Sequence, residues 1–141
     1  MKRLLLMACI AGLALASAGF AAHSSKPYRV AFDLTSRDTL DQKAVLRWIK
    51  EVTTSSPDAE LEVVMYGKGF ELVMSERSAF TDEVKAALRN PKVAFKVCAV
   101  ALRNNQVQQS QLITGVQLVP DGLRELVTKQ QEDWGYIKVG H

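Results

Sequence analysis

Strand-like apolar runs alternate with helix-like segments along almost the whole chain, and the runs lack a clean in/out alternation of apolar and polar residues. A strand with one wet face alternates, whereas a strand covered on both faces reads as a continuous apolar run. The first run is Tyr28 to Thr35, "YRVAFDLT". Thr39-Leu-Asp-Gln42 then has the T-x-x-Q form of a capping box, and Leu40, Ala44, Val45, Trp48, Ile49 and Val52 follow at helical spacing. Ser55 to Asp58 ends that helix. Glu60 to Tyr66 is the second strand, punctuated by Gly67 and Gly69. Phe70 to Met74 reads as a helical turn, and Phe80, Val84, Ala87 and Leu88 mark a helix closed by Asn90-Pro91. Val93 to Val97 is the third strand, Ala99 to Arg103 a short helix, and Leu112-Ile113 the end of another before Gly115. Val116 to Val119 is the fourth strand, Pro120-Asp121 opens a helix carrying Leu123, Leu126 and Val127, and Tyr136 to Val139 is the last strand. This order predicts a single three-layer α/β domain with a mostly parallel sheet between helices.

The first residues stand apart from that pattern. Lys2 and Arg3 precede an apolar run from Leu4 to Leu15, and Ala16-Ser17-Ala18 and Gly19-Phe20-Ala21 both offer small-residue cleavage sites. This reads as a secretory signal peptide over residues 1–22, leaving one domain over 23–141 and a periplasmic product with no membrane segment after cleavage. Leu6-Met7-Ala8-Cys9 imitates a lipoprotein box, but the long apolar run lies after Cys9 and not before it. Without Lys2 and Arg3, sixteen basic residues face fifteen acidic ones. That balance offers no electrostatic case for binding nucleic acid or an anionic membrane.

Loss of the leader leaves Cys98 as the only cysteine, so an internal disulfide is excluded and stability must come from the core. Cys98 falls where the third strand hands over to the next helix. Ligands of open parallel sheets bind outside the carboxyl ends of the strands, and the free N–H groups of a helix starting at Ala99 would favour a thiolate there. The competing reading is a small apolar residue filling a core, since cysteine is among the most buried residue types. Lys96, two residues earlier, shares the face of Cys98 if the strand runs that far. Strand-end geometry adds Asp33, Thr35, Lys68 and Arg103 as pocket candidates. Asp33 is open to two readings, a pocket carboxylate or an edge residue facing solvent.

Other chemistry finds less support. His23 and His141 lie at opposite ends of the chain, so no metal site of recognisable spacing can be assembled, and no Ser-His-Asp set is visible. Gly67-Lys68-Gly69 follows a strand as a phosphate-cradling turn does, yet lacks a third glycine or a G-K-[ST] ending and reads more simply as a tight turn. The "NNQVQQSQ" run reads as a solvated face, and Trp48 and Trp134 as packing residues.

At "VAFKVCAVALRNNQV" the sequence resembles the DsrE/DsrF sulfur-relay family, which includes the TusD type of sulfur carrier. The segments "VAFDLTS", "ELEVVMYGKG" and "LVPDGLRELVTKQQEDWGYIK" carry the resemblance over residues 28–138. The resemblance implies an α/β/α sandwich with a five-stranded mostly parallel sheet, and a homo-oligomer, trimeric or hexameric. It also implies that Cys98 matches the cysteine that carries sulfur as a persulfide. Such a carrier requires one accessible thiolate and no metal or organic cofactor. The expected function is therefore sulfur handling through Cys98 by persulfide or thiol exchange, with donor and acceptor unknown. The alternative is an oligomeric small-ligand-binding module whose pocket Cys98 merely lines.

Overall fold

A computed structural model of the chain describes residues 26–140. The expected leader over 1–22 lies outside the described residues. Five strands, β1 (Arg29–Leu34), β2 (Glu60–Met65), β3 (Val93–Cys98), β4 (Gln117–Val119) and β5 (Gly135–Val139), form one sheet in the order β4-β3-β2-β1-β5. Every pairing is parallel. The helices are α1 (Thr39–Ser55), α2 (Thr81–Leu88), α3 (Ala99–Asn104) and α4 (Gly122–Gln131), with short 3-10 turns at Gly69–Val73 and Gln109–Gln111.

The two faces of the sheet are unequal, and this decides where chemistry is found. Strand alternation sends Phe32, Leu34, Leu61, Val63, Met65, Phe95 and Val97 to one face. There they pack with Val45 and Ile49 of α1, Val84 of α2 and the segment Phe70–Met74. Each large side chain buried in this way contributes about 1.5–3 kcal/mol. Trp48 joins them, its ring 6.1 Å from that of Phe32. On the other face, α4 alone supplies cover, and the apolar cluster there is small, built from Ala31, Val64 and Leu126 with Tyr66 and Trp134 against it. That face also carries a set of polar residues: Asp33, Glu62, Lys96, Tyr136 and Lys138.

Several local features differ from the sequence expectation. Helix α1 is capped by Asp38, not Thr39: the Asp38 carboxylate accepts the Leu40 N–H at 2.8 Å, while Gln42 reaches back to the Arg37 carbonyl. Asp38 holds the extended backbone that a cap residue needs, so the helix begins one residue earlier than the T-x-x-Q spacing suggests. Leu112-Ile113 closes no helix. The 3-10 turn ends at Gln111, Leu112 bridges to Met74, and the Ile113 N–H donates to the Val73 carbonyl. Asp33 is not at an edge, because β1 has β2 on one side and β5 on the other.

Gly69 is required by close approach. A Cβ there would lie 2.0 Å from the Leu34 carbonyl oxygen. The turn after β2 is thereby pressed onto the end of β1, and the Lys68 N–H donates to the Thr35 carbonyl at 3.0 Å.

Candidate functional site

Cys98 is the last residue of β3 and the cap position of α3, with the extended backbone that redirects the chain from strand to helix. Its thiol is free and 5% exposed. Because β3 lies between β2 and β4, the segments that follow those two strands flank it on either side. Tyr66 and Gly67 come from the β2 side, Asp121 and Leu123 from the β4 side, and Val100, Ala101, Asn104 and Asn105 from α3. Together they enclose a cleft of about 270 Å³ with Cys98 in its wall. Gly122 is what lets the start of α4 come this close: a Cβ there would stand 3.2 Å from the Cys98 Cβ and 3.3 Å from that of Tyr66. The Asp121 side chain caps α4 by accepting the N–H groups of Leu123 at 2.9 Å and Arg124 at 3.4 Å.

A second cluster adjoins the cleft through Tyr66. The Asp33 side chain is buried, 3% exposed, at the carboxyl end of β1. Its Oδ2 accepts the hydroxyls of Tyr136 at 2.6 Å and Tyr66 at 3.2 Å, and its Oδ1 accepts Lys138 at 3.2 Å. Lys138 also donates to the Thr35 hydroxyl at 2.9 Å and sits over the Tyr66 ring, 5.7 Å from its centroid. The hydrogen bond to Asp33 pushes the Tyr136 phenol up to about 12, with burial and the carboxylate charge acting in the same direction. Burial, followed by the Asp33 charge, raises the Tyr66 phenol. Both tyrosines are thus held as neutral donors to one carboxylate, and the Tyr66 ring is fixed as a wall of the thiol cleft.

The remaining candidates are placed differently. Lys68 is exposed beside the cleft and not in its wall; it follows the wall residue Gly67, and its ammonium donates to the side-chain oxygen of Asn105. Lys96 shares the Cys98 face of β3, but its ammonium is drawn to Glu62 at 2.8 Å and Glu125 at 2.7 Å, with Lys129 completing a half-buried charged cluster in which Glu62 is the buried member. Burial works to lower the Lys96 pKa, and the hydrogen bonds to Glu125 and Glu62 outweigh it and raise it. Burial raises Glu62 against the pull of Lys96. Arg103 lies exposed on α3 and is not part of the cleft wall. The structure therefore brings Asp33, Thr35, Lys68 and Arg103 to the same end of the sheet as Cys98, none of them in the cleft wall, and draws the Lys96 ammonium into the Glu62–Glu125 cluster.

Sequence reasoning missed Tyr66, Asn105, Asp121, Tyr136 and Lys138 as site residues. Only Lys138 and Tyr136 carried a usable signal, since their spacing puts them on one face of the last strand. Among the described residues, no group of three or more His, Cys, Asp or Glu side chains is arranged to hold a metal ion. Among them, too, no helix is long and apolar enough to cross a membrane.

Comparison with known proteins agrees with this architecture. The structure of a protein of unknown function, MTH1491 from Methanobacterium thermoautotrophicum, superposes with a TM-score of 0.74 at 25% identity, covering 79% of this chain and 98% of that one. A conserved protein of unknown function, BT1422 from Bacteroides thetaiotaomicron, superposes with a TM-score of 0.66 at 12% identity, covering 79% of this chain and 95% of that one, which speaks to fold alone. No curated protein matches the chain. The family model described as DsrE/DsrF-like matches residues 11–139, nearly the whole chain, and the protein belongs to the DsrE/DsrF-like family.

Proposed function

We propose that this protein handles sulfane sulfur in the periplasm, holding it as a persulfide on Cys98 and passing it on by thiol exchange. The observation that carries the reading is the position of the thiol: the free cysteine ends a central strand, at the carboxyl edge of a parallel sheet, in the wall of a cleft. Ligands of such sheets gather at that edge. Family membership supports the same chemistry, and sulfur transfer between thiols uses no group beyond the thiol itself. The leader at residues 1–22 supports export, so donors and acceptors would be those of the periplasm. Exposed Leu123 and Val127, one helical turn apart on α4, support association of copies into a trimer or hexamer.

The second reading is a small-ligand-binding module in which Cys98 only lines the pocket. The 5% exposure of the thiol favours it. Native-state iodoacetamide labelling separates the two, paired with thermal melts of the wild type and Cys98→Ser. A sulfur carrier labels in the folded state, and its serine variant melts near the wild type. An inert thiol, together with a serine variant destabilised by a hydroxyl in an apolar site, would make Cys98 a packing residue.

A further inference from the structure

The charges around the cleft point to a class of sulfur donor. We propose that the Cys98 cleft takes a free amino-acid persulfide, a small zwitterion, with the donor's ammonium directed to Asp121 and its carboxylate to Lys68. This deepens the sulfur-handling reading and rests on it.

Strand order supplies the first argument. Cys98 ends β3, and the segments after its two neighbours bear opposite charges: Lys68 follows β2 directly after Gly67, and Asp121 follows β4. The thiol cleft thus has a carboxylate in its wall, Asp121, and a cation beside it, Lys68, which adjoins the wall residues Gly67 and Asn105. Each has binding capacity left. The Lys68 ammonium has three N–H donors, and one is directed to the side chain of Asn105, itself part of the cleft wall. Asp121 uses Oδ1 for the α4 cap, and Oδ2 has no partner among the described residues.

On the adjoining sheet face the two lysines are committed. Lys96 is held by Glu62 and Glu125, and Lys138 by Asp33 and Thr35. Between Lys68 and Asp121 the wall is apolar or neutral, from Val100, Ala101, Leu123 and Asn104. A multiply charged inorganic anion would meet one lysine opposed by a carboxylate, whereas a zwitterion satisfies both. The volume, about 270 Å³, is at the small end of ligand cavities and suits a single amino acid.

The transfer balances without an oxidant. The Cys98 thiolate attacks the terminal sulfur of R–S–SH, a bond forms between the Cys98 Sγ and that sulfur, and the S–S bond of the donor breaks. RS⁻ leaves with the electron pair and takes up the proton that Cys98 lost, giving Cys98–S–SH and RSH.

The test follows loading of Cys98 by intact mass in the full chain, with cysteine persulfide as the zwitterionic donor and hydroxyethyl persulfide as the neutral one. The inference expects cysteine persulfide to load faster by about tenfold or more, the scale of one or two charge-assisted contacts. Asp121→Ser, which keeps a good helix cap, and Lys68→Met should each bring the ratio of the two rates toward one. Equal rates in the wild type, or variants that leave the ratio unchanged, overturn the zwitterion inference and leave sulfur handling standing. Failure of both donors to load Cys98 overturns the sulfur-handling reading and this inference with it.

Discussion

Replacing Asp33 by asparagine removes one charge at nearly constant shape and disturbs every contact of the cluster beside the cleft. In the wild type the carboxylate accepts from Tyr136, Tyr66 and Lys138. An asparagine presents one acceptor oxygen and an NH₂ group that must face one of those donors. The cost of leaving such a buried partner unsatisfied is about 1–3 kcal/mol, or roughly 4–12 °C in Tm for a domain of this size. Tyr136 is the reporter. Its phenol is pushed up to about 12 by the bond to Asp33, so Asp33→Asn should return it toward the ordinary value of about 10. Two such units would correspond to about 2.7 kcal/mol, but Tyr136 is 44% exposed and solvent screening leaves about 1 kcal/mol. Because the folded value is raised, this stabilisation is complete below pH 10 and lost as pH climbs toward 12 and beyond. Phenolate absorbance against pH measures it, with Tyr136→Phe identifying its share among the three tyrosines. If Tyr136 already titrates near 10 in the folded wild type, the Asp33 cluster is not formed as described and the reasoning fails.

Other perturbations follow from the same structure. Lys96→Met strips Glu62 of its nearest cation and should cost about 3–5 kcal/mol by chemical denaturation, with much of that loss recovered when Glu62→Gln is added; no recovery would mean that the lysine acts through packing alone. Gly69→Ala drives a methyl group into the Leu34 carbonyl and should prevent folding or cost more than about 3 kcal/mol, so a melt within a few degrees of wild type would contradict the close approach. Gly122→Ala places a methyl group 3.2 Å from the Cys98 Cβ, a contact that a small shift relieves. It should slow Cys98 alkylation with a stability change below about 1.5 kcal/mol, whereas unchanged labelling would remove α4 from the cleft wall. Asp38→Ala should cost about 1 kcal/mol through the lost α1 cap, while Thr39→Ala costs far less; the reverse order would restore Thr39 as the cap.

The alternation of apolar runs and helical segments made the layered fold legible, because burial on both sheet faces leaves a mark in each strand separately. Strand order leaves no such local mark. Asp33 looks the same whether β1 is an edge or an interior strand, and its surroundings depend on β5 returning beside β1 across more than a hundred residues. Lys96 shows the same limit. Its spacing from Cys98 correctly gives a shared face, but its partner Glu62 is fixed by parallel register, in which Lys96 lies opposite Val64 and Glu62 opposite Ala94. Glu125 arrives from α4, and nothing near Lys96 in the sequence announces it. Cys98 was visible because it is chemically singular and sits at a strand–helix junction. Its companions Tyr66, Asn105 and Asp121 are ordinary residues that topology alone assembles. The cap of α1 was misplaced by one position because Asp38 and Thr39 are both good cap residues, and the choice between them is made by backbone conformation.

The central claim, that Cys98 carries sulfur, is tested most directly by intact mass. The folded protein is incubated with a persulfide donor, separated from it, weighed, then treated with a thiol and weighed again. The account predicts a gain of one sulfur atom on the wild type, its removal by the thiol with release of sulfide, and no gain on Cys98→Ser. An unchanged wild-type mass in folded protein, or an equal gain on the serine variant, would contradict it.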